Sequence, residues 1–334
     1  MDPILLMIIA IIVALAFDVM NGFHDTANAV STVIYTKALP PFVAIAMASV
    51  MNMVGPFLLG TAVAKVIATS IIPSNLLTIE IVVGALMGAI AWDILTWYYG
   101  LPVSSSHALI GGLVGSGLAA IGLSGIKWSG LESIVLALIV SPVVGVILGI
   151  IFMYLVGRFV ISRMDPKKAN SIFKRIQILS SAAVSLTHGS NDAQKTMGIV
   201  AMFVAVTYGS KDIVIAPWII VICALAIGTG TMLGGWRIIR TLGERIGSQE
   251  LSPSQGFCAE TATAITIAVG SSIGAPISTT HVISSSIVGT VVTGGTGVLN
   301  KKVVLNILEA WLLTIPIAAI AAAISYCLLK LVGI

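Results

Sequence analysis

Long apolar stretches alternate with short polar islands along this chain, and most of the stretches are close to bilayer length. Residues 4–20 are apolar and lead into a polar island. A short segment to Leu39 and the pair Pro40-Pro41 then open a second apolar run over 42–64. Further runs occupy 79–99, which carries Asp93, then 108–123 and 131–157. After a basic segment at 158–175 the pattern resumes over 176–206, 214–234, 257–274, 282–298 and 303–332, with a basic loop at Trp236–Ser254. A helix needs about 20 apolar residues to cross the hydrocarbon of a bilayer. The alternation of a membrane β-barrel is absent, so the pattern predicts an all-α polytopic membrane protein. Gly111, Gly112, Gly115 and Gly117 crowd one run, where small residues let helices approach closely in lipid. The run at 131–157 is long enough to span with tilt.

The polar islands come in pairs. Gly22-Phe-His-Asp-Thr-Ala-Asn28 is echoed by Gly189-Ser-Asn-Asp-Ala-Gln-Lys195, and Leu101-Pro-Val-Ser-Ser-Ser-His107 by Ala275-Pro-Ile-Ser-Thr-Thr-His281. Asp25 and Asp192 lie 167 residues apart in a chain of 334, and the islands keep one order in both halves. That is the mark of an internal duplication. It predicts an N-terminal transmembrane repeat at 1–157, a basic connector at 158–175 and a C-terminal transmembrane repeat at 176–334. Such repeats in transporters are commonly of inverted topology, with a site at their interface. Two inverted repeats, each with a broken or re-entrant helical hairpin, are therefore expected. The connector holds Arg158, Arg163, Lys167, Lys168, Lys174 and Arg175, a cluster that belongs on the cytoplasmic side. An odd number of crossings per half would then leave both termini outside.

Composition removes the competing classes. The chain is 57% hydrophobic and only 9% charged, against about 25% charged in soluble domains. Its mean hydropathy is +1.09. The net charge of +4 gathers largely in the connector, and no nucleic-acid partner is expected. Cys223, Cys258 and Cys327 are scattered in or beside apolar segments, which indicates neither a disulfide framework nor a metal knuckle. The start Met-Asp-Pro lacks a basic region, so residues 4–20 are expected to be a retained span rather than a cleaved signal peptide. The lipid bilayer is the implied partner, and a homo-oligomer is compatible with the sequence.

Asp25 and Asp192 carry the sharpest chemistry. An unpaired carboxylate in an apolar segment costs several kcal/mol, roughly 3 on insertion scales. A hydrogen bond to a neighbouring helix is the plain alternative for one such residue, but two at matching positions point to a site. Gly22 and Gly189, each three residues before its Asp, are expected to let the helix break and free carbonyls. Carboxylate, carbonyl and hydroxyl oxygens make a hard-cation site suited to Na+. Asn28 shares the helical face of Asp25, and Thr26 and Thr196 are further oxygen donors. Glu260 and Asp93 precede the second islands and could form an extra cation site, whereas Glu80, Glu132 and Glu309 are expected near the interfaces.

The second pair of islands has the opposite character. Pro102 and Pro276 end what precedes them and pre-set a new helical turn. Ser104, Ser105 and Ser106, and likewise Ser278, Thr279 and Thr280, then begin a helix whose free N–H groups and positive dipole end favour an anion. Simple N-capping of an ordinary span is the alternative. Two carboxylates repel an anion and two helix N-termini repel cations, so a pocket with both suits an oxyanion bound with co-transported cations. An oxyanion that keeps a proton at neutral pH, as phosphate does and sulfate does not, suits carboxylate or amide acceptors. Lys195 could pair with Asp192, assist the anion or snorkel; His107 and His281 are either proton-sensitive or structural.

At these islands the sequence resembles the inorganic phosphate transporter (PiT) family of sodium- or proton-coupled phosphate symporters, whose duplicated signature reads Gly-x-Asn-Asp-x-x-Asn. Gly189-Ser-Asn-Asp192 matches it; the first copy has His24 in place of Asn, and the second has Gln194-Lys195 where the family often has Ala-Asn. The resemblance implies a plasma-membrane importer of inorganic phosphate, not an enzyme, working by alternating access with Na+ as the favoured coupling ion. It implies that the signature Asp residues bind coupling cations and that the hairpin Ser and Thr residues hold phosphate, with Gln194 a further ligand of either. A proton-coupled carrier of phosphate or metal phosphate and a sulfate permease are the alternatives, ahead of an anion channel. An intramembrane enzyme lacks any nucleophile or cofactor motif.

Overall fold

The computed structural model describes residues 2–210, 212–295 and 299–332, excluding the side chain of Arg245. Among the described residues the chain is helical, with only an isolated bridge between Gly247 and Leu299. The first half contains α1 (Pro3–Tyr35), α2 (Pro41–Val54), α3 (Ala62–Ser70), α4 (Ile79–Tyr99), α5 (Ser105–Ile121) and α6 (Trp128–Phe159). The second contains α7 (Pro166–Tyr208), α8 (Pro217–Leu233), α9 (Trp236–Arg240), α10 (Pro253–Ser272), α11 (Thr279–Val292) and α12 (Lys301–Val332).

Local chemistry sets these boundaries. Prolines open α1, α2, α7, α8 and α10, where the missing N–H would have had no helical partner. Asp2 and Asp165 cap α1 and α7, and Ser252 with Gln255 forms a capping box on α10. Gly100 and Gly209 close α4 and α7 in the left-handed region, at φ 67° and 63°.

The order of elements is duplicated. A long helix is followed by a bent pair, then by a helical hairpin, then by a long helix with an internal proline, Pro142 in α6 and Pro316 in α12. A bent pair replaces the run at 42–64, and the run at 214–234, which is α8, bends into the start of the segment read as a basic loop. The chain turns by 75° between Pro41–Phe57 and Ala62–Ser70, and by 63° between Pro217–Leu233 and Trp236–Glu244. The hairpins are α4 with α5 and α10 with α11, joined at Pro102 and Pro276. α5 has 17 residues and α11 has 14; at 1.5 Å per residue both fall short of the roughly 30 Å hydrocarbon. The end of the expected 282–298 run lies partly outside the described residues, at 296–298.

One expectation is corrected. α1 and α7 run unbroken through Gly22 and Gly189, where breaks were expected. The glycines serve close approach instead: a Cβ on Gly22 would lie 2.3 Å from the Ile227 carbonyl oxygen, and one on Gly189 would lie 2.3 Å from that of Asn52. α1 thereby packs on α8, and α7 on α2, each across to the other half. The segment at 158–175 is largely helical: α7 begins at Pro166 and has 43 residues, about 65 Å at the helical rise, twice the bilayer core. Its exposed basic turns therefore extend past the hydrocarbon.

The halves are intertwined throughout. α5 and α4 pack on α12, and α11 and α10 pack on α6. Outward faces are apolar, with Phe42 at 74% and Leu312 at 78% exposure. The interior holds the polar side chains, among them Asp18, Asp25, Asp93, Asp192, Lys195 and Glu260. This inversion of the soluble pattern is what a lipid solvent selects.

Gly22→Ala should destabilise the protein by about 1–3 kcal/mol through overpacking against α8, whereas Gly157→Ala, which meets nothing within 4 Å, should be neutral or slightly stabilising. Thermal unfolding of the detergent-solubilised variants measures both. Equal melting temperatures would contradict the close-approach role of Gly22.

Candidate functional site

α1 and α7 bring Asp25 and Asp192 to the centre of the molecule, and the N-termini of α5 and α11 meet them there. Ser104 and Ser278 are the N-caps: each hydroxyl accepts from the backbone N–H three residues on, His107 N and His281 N, at 3.2 Å. The next residues face the carboxylates. Thr280 Oγ1 donates to Asp25 Oδ2 at 3.2 Å, and Thr279 Oγ1 donates to Asp192 Oδ2 at 3.4 Å. Asn28 Nδ2 donates to Thr280 Oγ1 at 3.0 Å. Lys195 Nζ donates to Ser106 Oγ at 2.5 Å and pairs with Asp192. Asn28 Oδ1 is buried there without a partner, and Ser105 is buried beside Asp93.

His188 lies between the two carboxylates. Its Nε2 is 3.1 Å from Asp192 Oδ2 and 3.7 Å from Asp25 Oδ2, and its Nδ1 faces Asn52 Oδ1 at 3.3 Å. Asn52 Nδ2 in turn donates to Thr231 Oγ1 at 2.7 Å. One ligand atom from each of Asp25, His188 and Asp192 fits within 4.8 Å of the others, close enough for a single cation to bridge them. On the first-half side, His24 Nδ1 contacts Asp25 Oδ1 at 2.8 Å.

The other expected residues are placed elsewhere or otherwise engaged. Thr26 donates to the Gly22 carbonyl at 2.7 Å and the Thr231 carbonyl at 3.1 Å, tying α1 to α8. Gln194 Oε1 accepts from Val63 N at 2.9 Å, capping the start of α3, while its Nε2 donates to Ser190. Glu260 sits in a separate polar knot, accepting from Thr32 at 2.5 Å, from Gln177 at 2.9 Å and from Ser180. Asp93, 167 positions before Glu260, is wholly buried beside Ser105 and within electrostatic reach of His24 and Asp25. Thr196 is buried beside Asp18. His107 and His281 stack on one another at 4.3 Å, and His281 on Trp311 at 3.7 Å, each ring keeping one unpartnered nitrogen.

Sequence reasoning passed over Asp18 and His188. Asp18 lies in the first apolar run, fully buried, and feels Asp192, Lys195 and His188 electrostatically. A carboxylate inside hydrocarbon is the same signal that singled out Asp25. His188 occupies the position 167 residues after Asn21, a polar pair that a repeat comparison would have exposed.

Chemically the centre offers carboxylate oxygens to cations and helix N-termini with hydroxyl donors to an anion, within hydrogen-bond distance of each other. It is sealed: Asp25, Asp192 and Lys195 expose no more than 2% of their surface.

The chain is similar to known proteins over nearly its whole length. The phosphate transporter family matches residues 21–322. A Rhizobium meliloti protein described as a "Probable low-affinity inorganic phosphate transporter" is 41% identical over 97% of this chain and 96% of its own length. A Bacillus subtilis protein of the same description is 42% identical over 99% of this chain and the whole of that one. A solved structure, "The sodium-dependent phosphate transporter", superposes with a TM-score of 0.91 at 27% identity, covering 98% of this chain and 99% of the other. Sequence similarity over nearly its full length and three-dimensional similarity agree that this chain belongs to the phosphate transporter family, whose members are transporters and not enzymes.

Proposed function

We propose that the protein is a secondary symporter that imports inorganic phosphate down a cation gradient, with Na+ as the favoured coupling ion. The observation that carries this reading is the direct contact between opposite binding elements. Thr280 on Asp25 and Thr279 on Asp192 put each carboxylate against the start of a half-length helix. An anion at those N-termini needs cations to quiet the carboxylates, and cations at the carboxylates need an anion to quiet the helix ends. Each ligand therefore strengthens the other, which is the thermodynamic content of symport. Ser105, Ser106, Thr279 and Thr280 would hold phosphate, with Ser104 and Ser278 fixing the helix starts. Asp25, Asn28 and Asp192 would hold cations.

The exchanged packing of the halves supports inverted repeats about this centre, moved against one another for alternating access. The repeats would be those at 1–157 and 176–334. The basic segment between them is assigned to the cytoplasmic side and the termini to the outside. Gln194, Thr26, Thr196 and Glu260 lie outside the direct contacts of the carboxylate pair and would support the frame of the site. The names of the relatives and of the solved structure agree with phosphate as cargo.

A proton-coupled second reading is favoured by one feature. His188 stands between Asp25 and Asp192, where a protonated imidazole would take the place of a metal cation. Counterflow of labelled phosphate in proteoliposomes, under imposed sodium and pH gradients and with sulfate as competitor, separates the readings. Acceleration by sodium alone supports the first reading, acceleration by protons alone the second, and indifference to both contradicts symport.

The division of labour is also testable by equilibrium binding. Ser105→Ala and Thr280→Ala should weaken phosphate binding roughly 10- to 100-fold, by analogy with lost hydrogen bonds to a charged group, with a smaller change in cation binding. Asp25→Asn should reverse that order. Equal losses of both ligands in every variant would contradict the assignment.

A further inference from the structure

We infer that Lys195 is a tethered cation: its ammonium fills, at Asp192, the place that an exchangeable cation takes at Asp25, so that transport proceeds with one cation fewer per phosphate than two equivalent sites would bind. The inference rests on the symport reading above.

The duplication supplies the comparison. Asn28 follows Asp25 by three residues, and Lys195 follows Asp192 by three. Thr280 and Ser106 occupy matching places, each four residues after its hairpin proline. In one copy Asn28 Nδ2 donates to Thr280 Oγ1 at 3.0 Å, and Thr280 donates to Asp25 at 3.2 Å. In the other copy Lys195 Nζ donates to Ser106 Oγ at 2.5 Å and pairs directly with Asp192. The same three positions meet in both halves, and one of the three differs in charge.

The difference changes two things at once. Asn28 keeps Oδ1 as a buried oxygen with no partner, and such an oxygen is a hard-cation ligand. Lysine has no acceptor atom at all and carries three donors. Position 195 thus removes one ligand oxygen and adds one full positive charge against the carboxylate. Asp192 meets an ammonium, whereas Asp25 meets the hydroxyl of Thr280 and Nδ1 of His24, with His188 Nε2 near both carboxylates. A cation approaching Asp192 would meet both a filled carboxylate and a like charge.

Lys195 does not snorkel. Its side chain is 2% exposed and ranks among the largest fully buried side chains, with the ammonium turned inward to Ser106. Asp18, fully buried, also lies within its electrostatic reach. Ser106 belongs to the hairpin proposed to hold phosphate, which puts the fixed charge where it also favours the anion.

The test uses the full chain in proteoliposomes, as wild type, Lys195→Asn and Lys195→Arg. The cation gradient that just balances an imposed phosphate gradient, sought in sodium and in pH, gives the number of cations per phosphate. Lys195→Asn should raise that number by one, and Lys195→Arg should leave it unchanged. An unchanged number in a transporting Lys195→Asn protein overturns the inference, including the case where Lys195 serves only as a phosphate ligand and its loss merely weakens phosphate affinity. Wild-type flux indifferent to every gradient would instead sink the symport reading itself. If Lys195→Asn does not transport, thermal unfolding in detergent reads the same site. In an Asp25→Asn background, sodium chloride, compared with an equal concentration of choline chloride, should stabilise the protein only when Lys195 is also replaced by Asn. Sodium-insensitive unfolding of that double variant overturns the inference.

Discussion

A charge inside a bilayer must find its counter-charge within the protein, and the architecture of this chain follows from that constraint. An isolated intramembrane carboxylate costs several kcal/mol, with no water to offset it. Asp25 and Asp192 are tolerable only where hydroxyls, imidazole and ammonium surround them, and those groups come from α1, α7, α5 and α11 together. The same demand forbids exposed ends of helices in lipid. The short helices α5 and α11 must therefore start inside the bundle, where the hydroxyls of Ser104 and Ser278 cap them. Carboxylates and helix starts need each other before any ligand arrives.

Close packing makes that meeting possible. The long helices α1 and α7 carry glycine where they cross α8 and α2, and the added Cβ distances show that nothing larger fits without movement. Because each long helix packs on the bent pair of the opposite half, neither half can form its polar centre alone. Displacing one half against the other separates Thr280 from Asp25 and Ser106 from Lys195 together, since both contacts run between halves.

Much of this was legible in the sequence, and the illegible part has a physical pattern. Near-continuous apolar runs identified membrane helices, and the paired islands identified the duplication, the two carboxylates and the hairpins at Pro102 and Pro276. The family resemblance read from those islands agrees with the match over residues 21–322. What stayed hidden depends on which neighbour a residue meets. A helix apolar on all sides has no face that points to its partner, so the glycines at 22 and 189 read as helix breaks instead of crossing points. Gln194 read as a ligand, yet it caps α3 from across the chain. Glu260 read as part of the cation site, yet Thr32, Gln177 and Ser180 satisfy it in a knot of its own. Asp18 and His188 were overlooked because each sits just outside a motif, although burial without water makes each as costly as the residues that were noticed.

The central claim is that oppositely charged ligands bind one pocket and stabilise each other there. Reciprocity makes it measurable without transport: if cations favour phosphate, phosphate must favour cations by the same factor. Calorimetric titration of phosphate into the detergent-solubilised protein, at rising sodium and at several pH values, reads that factor directly. The account predicts that phosphate affinity rises with the coupling cation, by roughly 5- to 150-fold for a typical coupling. Phosphate binding of equal strength at every sodium concentration and every pH would contradict it.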